Sequence, residues 1–146
     1  YNFIDIDKLI EIKEGTSISL IFKNKSEDYF RKIENDITLQ ELKKNKSVIS
    51  LGGGAFLNKS IQSCVKKTSI SFWLDINLDI LIKRLKKTKR RPLLDKKNLD
   101  EAVKKIYFER KKSYEEADFK IRCSSLKASE VAEKIIKIYE KSGNKI

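Results

Sequence analysis

Short apolar runs alternate with amphipathic segments along the whole chain. The runs at 2–6, 47–51, 69–74 and 119–123 are typical of buried strands. Between them apolar residues recur with helical spacing, and the predicted helices cover 7–14, 17–22, 27–44, 59–67, 77–87, 99–114 and 129–141. Strands and helices that alternate in this way predict an α/β fold, with a parallel sheet and helices on both of its faces.

Residue types at the ends of these segments predict where helices begin and end. Asp7 and Ser129 are expected to be the N-caps of the first and last helices, and Gly15 the stop of the first helix. In parallel sheets ligands bind beyond the carboxyl ends of the strands. The residues that directly follow each strand are therefore the candidates for chemistry.

Composition excludes several classes of protein. The 146 residues, with a mass of 17.0 kDa, predict a single domain over 1–146. No apolar run approaches the roughly 18–20 residues that cross a bilayer, so no membrane association is expected. Two cysteines, Cys64 and Cys123, with no histidine argue against a disulfide scaffold, a zinc site and a histidine-based triad. We expect a cytoplasmic protein with two buried thiols.

The net charge of +12 has two interpretations. It could steer anionic ligands or nucleic acid towards the surface. It could equally be a solvated lysine-rich surface, which is the default for charged residues. The second interpretation is favoured for most lysines, and the few arginines carry more information.

Two clusters follow predicted strands. Asp5 and Asp7 end the first strand and share a face of an extended chain, which suits a magnesium ion and a substrate hydroxyl, or alternatively a pair of helix caps. Gly52, Gly53 and Gly54 follow the second strand. They fit backbone that approaches a ligand closely, or alternatively a tight turn.

Three arginines stand in distinctive contexts. Arg31 could bind a ligand carboxylate through its planar fork, or pair with Glu27 or Glu34 at helical spacing. Arg91, in the segment KRRPLL, could belong to a mobile lid over a polyphosphate, or to an exposed basic loop. Arg110 could be a cation that the helix dipole favours near a helix end.

Taken together, these motifs resemble the shikimate kinase family over essentially all 146 residues. The segments in family order are FIDID, the Gly15–Ile18 segment followed by EDYFRKIE, SLGGGA, RRPLL and ERKKSYEEAD. The resemblance implies a three-layer P-loop kinase fold of the nucleoside monophosphate kinase type, with a basic lid at about 86–100. It also implies a monomeric transferase that uses ATP and Mg²⁺ to phosphorylate the 3-hydroxyl of shikimate, on the route to chorismate and the aromatic amino acids.

The resemblance also assigns roles by position. Asp7 matches the residue that binds the substrate hydroxyls and assists deprotonation, and Asp5 matches the residue near magnesium, which it would hold through water. Arg91 matches the lid arginine that reaches the ATP phosphates, and Lys127 falls in the adenine loop. The residues matched to shikimate binding are Asp7, Arg31, Gly52, Gly53, Gly54 and Arg110.

One family motif is absent. The 146 residues contain no G-x-x-x-x-G-K-[ST], the loop that cradles nucleotide phosphates. We therefore expect a shikimate kinase without its first strand, P-loop and following helix, and expect this chain alone to be inactive. The alternatives are another small-molecule kinase of this fold, such as a gluconate kinase, and a non-catalytic remnant that binds an acid. Binding of nucleic acid is not expected, because no aromatic residues are interleaved with the charges of the basic loop.

Overall fold

The computed structural model describes residues 1–87 and 98–142, in which strands and helices alternate as predicted. The strands are β1 (Asn2–Asp5), β2 (Ser47–Ser50), β3 (Phe72–Asp75) and β4 (Phe119–Arg122). The α-helices are α1 (Ile6–Glu14), α2 (Ile18–Asn24), α3 (Glu27–Glu41), α4 (Lys59–Thr68), α5 (Leu78–Lys86), α6 (Leu99–Tyr114) and α7 (Ala128–Lys141). A short 3-10 helix covers Ala55–Leu57. The predicted α/β class is confirmed.

The strands of the described residues pair in parallel, as two two-stranded sheets. β1 pairs with β2, placing Asp5 opposite Ser50, and β3 pairs with β4, placing Asp75 opposite Arg122. The chain likewise divides into two compact units, Tyr1–Ser69 and Ile70–Ile146. Parallel pairing is confirmed. Among the described residues, the hydrogen bonds between strands join β1 to β2 and β3 to β4. The single-domain assignment stays a prediction.

The core of the first unit covers one face of its sheet. Ile6 and Ile10 of α1 are fully buried and pack with Phe30 of α3, and Ile4 and Ile49 of the sheet pack against this cluster. Successive strand residues point to opposite faces. The next positions, Phe3 and Val48, are accordingly 69% and 55% exposed. The core holds α1 and α3, the helices that carry Asp7 and Arg31.

The second unit has its own buried apolar residues. Among them are Trp73, Ile82, Val103, Ile121 and Cys123. The ring of Trp73 lies 6.0 Å from that of Tyr114 on α6, and the ammonium of Lys120 lies 4.1 Å from the Trp73 ring centroid. Burial, and then the charge of Asp75, raise the pKa of the Cys123 thiol. Cys123 is buried as predicted, whereas Cys64 is only half-buried.

The predicted helix starts need two corrections. α1 is capped by Asp5 rather than Asp7, because β1 runs straight into the helix and leaves Asp5 extended, where its carboxylate accepts from the Lys8 N–H at 3.3 Å. α7 begins at Ala128, so Lys127 is its N-cap and Ser129 lies in its first turn. Gly15 ends α1 as predicted, with φ 62° and ψ 19°. None of the described helices has both the length and the apolar character to span a membrane.

Helix α3 starts at a serine cap. Ser26 is extended and its hydroxyl accepts from the Tyr29 N–H at 3.1 Å. This bond satisfies one of the N–H groups left unpaired at the start of a helix. The helix ends at Glu41, three residues before the predicted end at Lys44, since the chain passes into a turn in which the Lys44 N–H donates to the Glu41 carbonyl.

Replacing this cap tests its contribution. We expect Ser26→Ala to lower the free energy of unfolding by about 1 kcal/mol, because the Tyr29 N–H loses its partner. Ser63→Ala, at an exposed interior position of α4, is the matched control and should leave stability unchanged or slightly raised. Urea unfolding of both variants measures the difference. Equal effects would show that the Ser26 hydroxyl contributes nothing as a cap.

Candidate active site

The predicted ligand residues of the first unit meet at the carboxyl end of its sheet. Asp7 lies in the first turn of α1, directly after β1, and Gly52 follows β2. Because β1 and β2 are parallel, these two chain segments leave the sheet at the same edge. Helix α3 packs beside α1 and brings Arg31 to this edge. The structure therefore places Asp7, Arg31 and the glycine turn in one cluster.

Arg31 is held by two carboxylates of its own helix. Its Nη1 donates to Glu34 Oε2 at 2.7 Å, and its Nε and Nη2 donate to Glu27 Oε1 at 3.2 and 3.0 Å. Glu34 is one turn further along α3 and Glu27 one turn earlier. The guanidinium is therefore fixed in position by both neighbours, with 30% of the side chain still exposed. An oriented and partly exposed fork of this kind suits a planar anion such as a carboxylate.

The Glu34 partner is buried, with only 3% of its side chain exposed. A buried carboxylate needs a charged or hydrogen-bonding partner, since desolvation penalises an isolated charge. The same contact affects Arg31. Burial lowers the pKa of its guanidinium, but the hydrogen bond and charge of Glu34, and then those of Glu27, raise it by more. Since an arginine guanidinium is always protonated at physiological pH, Arg31 is a permanent cation at this edge of the sheet.

The glycine turn closes the cluster. The backbone at Gly52 lies against the Asp7 and Glu34 carboxylates, and that at Gly54 against the Arg31 guanidinium. The Ala55 N–H donates to the Gly52 carbonyl at 3.1 Å, and the Leu57 N–H to the Gly54 carbonyl at 3.1 Å. The turn is thereby tied into the short 3-10 helix that follows, and Gly53 at its tip is exposed.

The remaining predicted residues lie elsewhere in the chain. Arg110 is half-buried on α6 of the second unit. Lys127, predicted to lie in the adenine loop, is exposed at the start of α7, where its N–H donates to Glu130 Oε2 at 2.7 Å. Arg91 lies outside the described residues, as does most of the predicted lid.

Asp5 is the predicted magnesium residue. Across the part of the chain that the structure describes, His, Cys, Asp and Glu side chains form no group of three or more that could hold a metal. Mg²⁺ commonly keeps several waters and takes one or two carboxylates with substrate phosphates. A single carboxylate at the carboxyl end of β1 fits that requirement, although Asp5 also caps α1.

Glu34 was not predicted as a site residue. The sequence suggested it only as a surface partner of Arg31, in a class of pair that contributes tenths of a kcal/mol. A signal was present, however. Position 34 is four residues after Phe30 and three before Ile37, so it borders the buried stripe of α3. A glutamate on that border, three residues after an arginine, indicates a buried ion pair.

Comparisons with known proteins agree with this geometry. The family model described as "Shikimate kinase" matches residues 1–140. A shikimate kinase of Thermodesulfovibrio yellowstonii is 39% identical over 99% of this chain and 83% of its own length, and that of Caldanaerobacter subterraneus subsp. tengcongensis is 35% identical over 97% and 82%.

Solved structures give the same result. Shikimate kinase from Acinetobacter baumannii in complex with shikimate superposes with a TM-score of 0.91 at 27% identity, over 99% of this chain and 81% of that one. Shikimate kinase from Aquifex aeolicus gives a TM-score of 0.84 at 35% identity, over 98% and 83%. The motifs, the fold and these similarities agree, and the chain belongs to the shikimate kinase family.

Proposed function

We propose that this chain binds shikimate and serves in the transfer of the ATP γ-phosphoryl group to the 3-hydroxyl of shikimate. The observation that carries the proposal is the cluster of Asp7, Arg31 and Glu34 against the glycine turn. In this cluster the oriented Arg31 guanidinium can bind the carboxylate of a substrate, and the Asp7 carboxylate can bind the hydroxyl groups of that substrate. The relative from Acinetobacter baumannii, solved with shikimate, supports this choice of substrate.

The proposed roles follow from charge and position. Arg31 binds the substrate carboxylate, and Glu34 holds Arg31 in its orientation. Asp7 accepts a hydrogen bond from a substrate hydroxyl and takes its proton as the phosphoryl group arrives. The family resemblance assigns Arg110 to the substrate carboxylate as well. Two cations selecting one carboxylate favour an acid over a neutral polyol.

The nucleotide side of the proposal rests on the family resemblance. Arg91 would stabilise the negative charge on the transferring phosphoryl group, and Lys127 would lie in the adenine loop. Asp5 would hold Mg²⁺ through water. That ion, when bound, neutralises charge on the ATP phosphates and orients them for transfer.

We further propose that phosphoryl transfer requires a phosphate-binding loop that these 146 residues do not contain. The G-x-x-x-x-G-K-[ST] motif supplies backbone N–H groups, a lysine and a Mg²⁺ ligand together. None of the five glycines in the sequence is followed by a Lys-Ser or Lys-Thr pair. The chain spans 83% of the length of its Thermodesulfovibrio relative, so that relative contains sequence outside the matched part.

Two measurements on residues 1–146 test these proposals. Titration calorimetry with shikimate and gluconate should show binding of shikimate alone. ADP release with ATP, Mg²⁺ and shikimate should stay at the background rate. A chain that prefers gluconate, or binds neither acid, would contradict the substrate assignment. Shikimate-dependent ADP release would contradict the requirement for an additional phosphate loop, while supporting the activity itself.

A further inference from the structure

Three glycines in a row invite the interpretation that the backbone needs a conformation open only to glycine. Gly54 does not support it, because its φ of −108° and ψ of −19° are accessible to any residue. Gly15 provides the contrast within the same unit. Its φ is +62°, in the left-handed region that favours glycine, and no neighbouring atom lies within 4 Å of the place a Cβ would occupy. The need for glycine at position 54 must therefore come from the atoms that surround it.

The surroundings of Gly54 are the guanidinium of Arg31. A Cβ at Gly54 would lie 2.7 Å from Arg31 Cζ and 2.8 Å from Nη2, and would also collide with Nη1. Separations below 3.0 Å are essentially never found for a real Cβ, so one of the two groups would have to move. Gly54 is buried and its carbonyl is bonded to the Leu57 N–H, which leaves Arg31 as the group that yields.

Displacing Arg31 would break its contact with Glu34. The guanidinium occupies its place because of the 2.7 Å bond to Glu34, whose side chain is 3% exposed. A shifted guanidinium would leave that buried carboxylate without its arginine contact and would point away from the substrate. The absence of one methyl group at Gly54 therefore permits the arginine geometry of the site.

We infer that Gly54 is a positioning residue whose missing side chain lets the Arg31 guanidinium lie against the turn, and that it thereby sets the affinity for the substrate carboxylate. Gly52 has the same relation to the two carboxylates, since a Cβ there would lie 2.7 Å from Asp7 Oδ1 and 2.8 Å from Glu34 Oε1. The inference rests on the proposed function for its ligand, but its steric part does not depend on that ligand.

A double-mutant cycle on residues 1–146 tests the inference. Gly54→Ala should weaken shikimate binding at least tenfold by calorimetry. In the Arg31→Ala background the same change should have no further effect, because the group that it displaces is already gone. Gly15→Ala is the control. It should lower the urea midpoint through its left-handed backbone and leave shikimate binding unchanged.

The outcomes separate the inference about Gly54 from the proposed binding of shikimate. Independent, additive losses from Gly54→Ala and Arg31→Ala would overturn the inference, as would unchanged shikimate binding by Gly54→Ala. If the unaltered chain binds no shikimate, the proposed function fails, and the urea midpoints then decide the steric claim. Gly54→Ala should lower the midpoint in the original background and by much less in the Arg31→Ala background, whereas equal shifts in both would overturn the claim.

Discussion

Arg31→Ala should weaken shikimate binding by about ten- to a hundredfold. The reason is the loss of a charge-assisted contact with the substrate carboxylate, a class that contributes about 1.5–3 kcal/mol, and each 1.4 kcal/mol is tenfold in affinity. Calorimetry with the purified chain measures the change. In a chain joined to a phosphate-binding loop, ATP affinity should be nearly unchanged, since Arg31 is assigned to the acid alone. A variant that lost ATP binding and kept shikimate binding would contradict the assignment.

The matched control for Arg31 is its neighbour on α3. Lys32 is exposed, and its replacement by alanine removes the same unit of charge from the chain's net +12. If a diffuse positive field attracts the acid, Lys32→Ala and Arg31→Ala should weaken binding equally. If one oriented guanidinium binds the acid, Lys32→Ala should bind shikimate as tightly as the original chain at physiological salt, where exposed charges are screened.

The same Arg31 variant has a second expected effect, on stability. Removing the arginine leaves the buried Glu34 carboxylate without this partner, and breaking such a pair typically costs about 3–5 kcal/mol. Because Arg31 itself is 30% exposed, we expect the lower end of that range. Arg31→Ala/Glu34→Gln should regain part of the lost unfolding free energy and none of the lost affinity. Recovery of both would mean that Arg31 acts only as a structural partner of Glu34.

Much of the first unit was predictable from local pattern. Continuous apolar runs of strand length and helical stripes such as Phe30, Ile33 and Ile37 are signals that tertiary packing reinforces rather than opposes. Because ligands bind beyond the carboxyl ends of parallel strands, the sequence then indicated both Asp7 and Gly52 as site residues, although they stand 45 positions apart. Parallel pairing of β1 with β2 is what brings them together.

Other features depend on details that pattern does not contain. Asp5 and Asp7 are equally good caps by residue type, and the choice between them follows from β1 entering α1 without a loop. The strength of the Arg31–Glu34 pair depends on how deeply position 34 is buried, which spacing alone does not give.

Asp7→Asn should lower kcat for shikimate phosphorylation by about 10²- to 10⁴-fold, the usual contribution of a positioned general base. Asparagine keeps the size and one hydrogen-bond acceptor of aspartate but cannot take the hydroxyl proton, so the KM for shikimate should change far less than kcat. The assay requires a chain that phosphorylates shikimate. If residues 1–146 alone are inactive, they are joined to a phosphate-binding loop for this measurement.

The matched control for Asp7 is Asp36→Asn, because Asp36 is exposed on α3 and loses the same charge. It should leave kcat and KM unchanged. A pH profile separates the two roles assigned to Asp7. If it is the base, kcat of the original enzyme falls at acidic pH and that limb is missing from the Asp7→Asn profile. If Asp7 only orients the hydroxyl, the variant keeps the acidic limb and loses mainly affinity. That result would leave positioning and charge neutralisation as the source of the rate, which phosphoryl transfer with a loose transition state permits.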